Sequence, residues 1–156
     1  MRSPTTGTIP RMRLSQARAT APILLSIAAL LPACKSDPLP GALGVQPEMQ
    51  AQYKVQDTQR QDYGGKPRVS MTVTVPKGLS KADIETQVRH AIYTAYKSSV
   101  VTPGAVRVRA YQDKVEDRPY TAALGLFSPD GRWTGPDPRV PTTEWKVSLS
   151  VRDWYL

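Results

Sequence analysis

One cysteine, one histidine and one phenylalanine occur in 156 residues. A single cysteine excludes an intramolecular disulfide and any multi-cysteine metal site. A single histidine, His90, excludes a two-histidine metal site and leaves only one imidazole for a Ser-His-Asp arrangement. The longest apolar run, Ala21 to Leu31, has 11 residues, against the roughly 20 that cross a bilayer. No Gly-x-Ser-x-Gly motif, phosphate-cradling loop, dinucleotide fingerprint or EF-hand spacing is present. Acidic residues are missing from the first 33 positions, which hold Arg2, Arg11, Arg13 and Arg18.

What is present is globular: 40% hydrophobic and 22% charged residues, in a length suited to one domain. Fifteen prolines and ten glycines put a sizeable share into loops. Half of the net charge of +8 belongs to the first 33 residues. Beyond residue 33 it is +4, from 17 basic and 13 acidic residues, too mild and too scattered to favour a nucleic-acid partner.

An arginine-bearing start, a short apolar run and the small-residue ending Pro32-Ala33-Cys34 follow the order of a secretory signal peptide. The tetrapeptide Leu31-Pro32-Ala33-Cys34 resembles the lipobox of bacterial lipoproteins. Leu31 matches the branched apolar position, Ala33 the small residue before the cut, and Cys34 the lipid acceptor. The resemblance implies cleavage between Ala33 and Cys34, loss of residues 1–33 as a signal peptide, and a membrane anchor of acyl chains on Cys34. Several chains hold stably where one holds marginally. Lys35, where an aspartate tends to retain such proteins at the inner membrane, points to the outer membrane and a periplasm-facing domain. Met12 is an alternative start and would leave a 22-residue signal. The competing readings of Cys34 are a buried free thiol and a reactive thiol, but no core sequence surrounds it.

Lys35 to Pro47 contains Pro38, Pro40, Pro47, Gly41 and Gly44 without periodicity, so residues 34–47 are expected to be a lipidated cysteine and flexible tether. At about 3.3 Å per residue the tether would reach roughly 40 Å extended and nearer 20 Å relaxed.

Residues 48–156 are expected to form the domain. From Arg68 to Val75, Val69, Met71, Val73 and Val75 alternate with Arg68, Ser70, Thr72 and Thr74, which predicts a strand with one buried and one wet face. Ala51 to Asp57 alternates more weakly, and Asp62-Tyr-Gly-Gly65 supplies a hairpin turn. Ser80, Asp83 and Leu79 carry a capping box and a hydrophobic staple. The helix they open has Ile84, Val88, Ala91, Ile92 and Ala95 on one face, runs to about Ser98, and sets Glu85 four residues before Arg89. Ala105 to Tyr111, Tyr120 to Phe127, and Glu144 to Arg152 supply three further strands. The expected fold is α+β in the order ββαβββ, a mainly antiparallel sheet of about five strands with one amphipathic helix. Trp154-Tyr155-Leu156 is expected to pack on the sheet. Residues 50–128 also resemble an uncharacterised family of small bacterial envelope proteins, through Tyr53, Gly64-Gly65, the strand ending at Pro76, and Leu79-Ser80 before Asp83-Ile84. That resemblance implies no activity.

Candidate functional residues fall in two places. The loop Ser128 to Thr143 holds Arg132, Trp133 and Arg139 among Pro136, Pro138 and Pro141. It is longer than most connections and carries the residue types that anchor interfaces, unless Trp133 folds back on a core edge. The polar row of the sheet holds Arg68, Arg107, Arg109, Tyr111, Lys146 and Arg152, either a solvated face or a surface for an anionic polymer. His90 is expected to be structural, and Asp113, Glu116 and Asp117, interleaved with Lys114 and Arg118, a solvated loop. Asp130 and Asp137 fit no metal-loop spacing. The sequence thus points to a lipid-anchored envelope protein with no catalytic residues, no metal and no cofactor. Its partners would be the membrane and an envelope protein or anionic envelope polymer. The alternatives are an inhibitor or immunity-type module against a periplasmic hydrolase, and a weak hydrolase using His90.

Overall fold

A computed structural model describes residues 37–115 and 120–152, which belong to one compact unit. The elements are α1 (Leu39–Leu43), β1 (Lys54–Arg60), β2 (Arg68–Val75), α2 (Lys81–Lys97), β3 (Ala105–Gln112), β4 (Ala123–Ser128), a 3-10 turn (Thr142–Glu144) and β5 (Lys146–Val151). The strands form one sheet in the order β1-β2-β3-β4-β5. Strands β2 and β3 are parallel and the other neighbouring pairs antiparallel. The parallel pair needs a crossover, and α2 supplies it. The fold is α+β, as expected, with one main helix on a mostly antiparallel sheet.

Helix α2 starts where the capping box places it. Ser80 Oγ accepts from the Asp83 N–H at 3.1 Å, and the Asp83 carboxylate accepts from the Ser80 N–H at 3.3 Å. Its apolar stripe, Ile84, Val88, Ala91, Ile92 and Ala95, is buried against Val69, Met71 and Val73 of β2, Val106 and Val108 of β3, and Phe127 of β4. Gly125 lets the helix close on β4, because a Cβ there would collide with Val88 Cγ1. Trp145 seals one end, its ring centroid 4.8 Å from that of Phe127 and its indole N–H donating to the Val140 carbonyl at 2.9 Å.

Several expectations are corrected. The stretch expected as a tether folds within the described part. Pro38 and Pro40 fit a helix start, and Gly44, at φ 64°, supplies the left-handed cap that ends it. Residues that resemble a loop in sequence therefore build α1, whose Leu39 and Leu43 are buried in the core. Asp37 fastens the segment: it accepts from the Leu39 N–H and from Lys97, each at 3.0 Å. Arg89, expected opposite Glu85, donates instead to the Leu43 carbonyl at 3.0 Å. Strand β1 begins at Lys54 and its residues are all exposed, Val55 at 48%, because it lies at the sheet edge. The last expected strand opens as the 3-10 turn and becomes strand only at Lys146.

The polar row of β2 is also not wet. All eight residues of β2 are buried, Ser70, Thr72 and Thr74 included. A neighbour on each side in the sheet explains this, since longer side chains from β1 and β3 lie over the hydroxyls. The predicted features at Cys34, Ala33, Glu116, Asp117, Arg118 and Trp154-Tyr155-Leu156 lie outside the described residues. No helix among the described residues is long and apolar enough to cross a membrane.

Candidate anion-binding face

Because strand side chains alternate, the sheet has a second face, turned away from α2. Register sets its rows: Ser70 beside Arg107, Thr72 beside Arg109, and Thr74 beside Tyr111. Leu126 and Leu124 follow on β4, then Ser148 and Ser150 on β5. Among the described residues no helix packs on this face.

Three guanidinium groups dominate it, and each is held by neutral partners. Arg68, only 9% exposed, donates from Nε to the Gln61 carbonyl at 2.9 Å and from Nη1 to the Trp133 carbonyl at 3.0 Å. Arg107 donates from Nε and Nη2 to Ser70 Oγ at 3.3 and 3.2 Å, and from Nη2 to Gln61 Oε1 at 3.2 Å. Arg109 donates from Nη2 to Thr72 Oγ1 at 3.2 Å, while its Nε is buried without a partner. Two of the guanidinium carbons lie over the Trp133 ring, Arg68 at 4.4 Å and Arg107 at 4.3 Å from its centroid, and Arg68 is also 4.8 Å from the Tyr63 ring. Such contacts each contribute about 0.5–1 kcal/mol where solvent reaches them.

Among the described residues no carboxylate hydrogen-bonds to these three guanidinium groups. The ion pairs lie elsewhere: Arg60 with Asp62, Lys66 and Arg139 with Asp137, Lys77 with Asp113, and Lys97 with Asp37. Asp57, on β1 beside Thr72, accepts from Gln59 at 2.6 Å and makes no ion pair with the three arginines. Burial, followed by the positive charges of Arg109 and Arg68, lowers the pKa of Arg107 from its ordinary value. Arg109 and Arg68 thus repel Arg107, and the nearest counter-charge is Asp62, which acts electrostatically on Arg68 while bonded to Arg60.

The Trp133 loop is stapled down beside this cluster. Asp130 accepts from the Arg132 N–H at 2.9 Å after a turn at Gly131. Asp137 donates its N–H to the Gly104 carbonyl at 3.2 Å, and Gly104 donates to Pro67 at 2.7 Å. A side chain at Gly104 would meet Asp137 N at 2.8 Å, so glycine permits this close approach. Asp137 also takes both Nε and Nη2 of Arg139, at 3.0 and 2.8 Å, and these bonds hold its carboxyl well below the usual carboxylate range.

The structure therefore joins what the sequence separates. Trp133 from the loop meets Arg107 of the sheet row in one cluster, and Arg109 and the buried Tyr111 continue along the same strand. Trp133 is half-buried and does not project. Arg132 is exposed in the loop, and Arg139 is paired off with Asp137. Sequence reasoning missed Gln61 and Tyr63, turn-flanking residues whose only signal is their nearness to Arg68.

His90, only 7% exposed, has both ring nitrogens engaged, Nδ1 with the Tyr53 hydroxyl at 3.0 Å and Nε2 with the Pro47 carbonyl at 3.3 Å. Tyr53 also bonds Thr94 at 3.0 Å, and burial raises its phenol above the ordinary value, so it remains a hydroxyl. The group clips residues 47–53 to α2. Among the described residues no cluster of three or more metal-ligating side chains occurs. No family model, curated protein or solved structure matches the chain.

Proposed function

We propose that this chain is a lipid-anchored envelope protein, held by acyl chains on Cys34 at the outer membrane and facing the periplasm. Its domain is a non-enzymatic binding module whose open sheet face receives an anionic partner. The observation that carries the reading is the cluster of Arg68, Arg107 and Arg109, three guanidinium groups whose hydrogen bonds among the described residues all go to neutral groups. Like charges held together are unfavourable alone and favourable around an anion. The engagement of both His90 nitrogens favours binding over hydrolysis, and the folded-back Trp133 loop suits a surface better than a plug.

The fold also shortens the leash. With Asp37 tied to Lys97, the span from Cys34 to the first docked residue is at most about 10 Å.

Two measurements test the proposal. Mass spectrometry of the envelope-extracted protein should find acyl mass at Cys34, and an unmodified Cys34 would overturn the anchor. Crosslinked, detergent-solubilised envelopes should yield co-purifying material with the wild type and much less with Arg107→Gln/Arg109→Gln. Equal recovery with both would overturn the sheet face as the contact surface.

A further inference from the structure

We infer that strand β5 is the seam of a homodimer: its free edge pairs antiparallel with the same edge of a second copy, centred on Ser148, and joins the two sheets into one. The inference does not depend on what the open face binds.

The two edges of the sheet differ, and the difference singles out β5. An edge strand is a template for another strand, and proteins that must stay apart blunt it with bulges and charge. Edge β1 is blunted in both ways: its register slips between Val55 and Asp57, and Lys54, Asp57 and Arg60 are exposed along it. Edge β5 is not. Its register on β4 is unbroken from Lys146 to Val151, and no charge falls between Val147 and Val151. Among the described residues no strand lies beyond it.

The pattern of β5 then fits a copy of itself. Val147, Leu149 and Val151, half-buried against the core on the α2 side, alternate with exposed Lys146, Ser148 and Ser150. A copy related by a twofold axis normal to the sheet keeps the same face up, so each row meets its own kind. With Ser148 on the axis, Val147 stands opposite the copy's Leu149, and Lys146 opposite the copy's Ser150.

Charge selects this register. Glu144, in the turn just before β5, comes opposite the copy's Arg152, twice by symmetry. Glu144 is exposed, and its carboxylate has no ion-pair partner among the described residues. Centring the pair on Leu149 would instead set Lys146 against the copy's Arg152, and like charges directly opposite are destabilising. The same axis leaves both arginine clusters on one side of the joined sheet.

One strand pair is small beside the roughly 800 Å² per partner of a standard complex, so the expected Kd is on the order of micromolar. Sedimentation equilibrium of the purified protein, in a detergent matched in density by the buffer, should show a monomer giving way to a dimer between about 1 µM and 1 mM. Ser148→Lys, at an exposed position, sets two like charges together on the axis and should weaken the dimer about tenfold or more with the circular dichroism unchanged. Ser148→Cys in the full chain tests the seam without that variant. Mild oxidation in the envelope should link Ser148→Cys copies, whose β-carbons would stand about 5 Å apart, and leave Ser150→Cys copies, offset by about 13 Å along the strand, unlinked as in the wild type. A wild type that stays monomeric throughout, a dimer that Ser148→Lys leaves untouched, or equal linking at Ser148 and Ser150 would each overturn the inference.

Discussion

On the α2 side of the sheet Val73, Val106 and Val108 are fully buried beneath Val88 and Ile92. On the opposite side Ser70 and Thr72 are nearly as buried, at 2% and 5% exposure, yet what covers them is arginine. The first face is closed by removing apolar area from water, worth about 25 cal/mol per Å². The second is closed by long side chains that lay their stems on the sheet and keep charge at the surface, a task for which the weakly hydrated guanidinium is suited. One face supplies stability and the other chemistry. The two should therefore respond differently to substitution.

Ile92→Ala should have the largest effect. It empties space against the sheet and should cost about 4 kcal/mol, read as a lower urea midpoint, and leave polyanion binding by the folded fraction unchanged. Leu43→Ala extends the comparison to α1 and should cost about 3 kcal/mol, because Leu43 is fully buried. A flexible tether would instead give a change near zero. On the open face the order reverses. Arg107→Gln/Arg109→Gln should move stability by no more than about 1 kcal/mol, because lost cation–π and hydroxyl contacts are offset by relief of repulsion, while binding falls. A large loss of stability with intact binding would erase the contrast.

The smallest effect concerns pH. The Leu39 N–H, then Lys97, lower the Asp37 carboxyl below its ordinary 3.8. An acid lowered in the folded state stabilises it above the unfolded value and loses that contribution as pH falls through the folded one. Attachment of α1 should therefore be constant from neutrality to about pH 4 and weaken only below 3.8. Hydrogen exchange of the Ala42 and Val45 amides would follow it, and Asp37→Asn should flatten the dependence.

Some of this was legible in the sequence, for physical reasons. Helix α2 and strand β2 advertise themselves through local signals: a capping box, a stripe at helical spacing, and strict alternation from Arg68 to Val75. Helix α1 does not, since five residues with prolines at its start carry no period, and only burial of Leu39 and Leu43 makes the turn worth forming. Burial of Ser70 and Thr72 was equally hidden, because it depends on which strands flank β2. The candidate site was half legible. Arg107, Arg109 and Trp133 stand out by type, but the contact of Trp133 with Arg68, 65 residues away in the chain, follows from topology alone.

The most direct test of the open face is a nuclear magnetic resonance titration of the domain with the soluble polyanion polygalacturonate, following backbone amides and arginine Nε–H groups. The account predicts shifts concentrated at Arg68 to Thr74 and Arg107 to Tyr111, with α2 unmoved. Shifts centred on α2 or the α1 segment, with the three arginines unaffected, would contradict it.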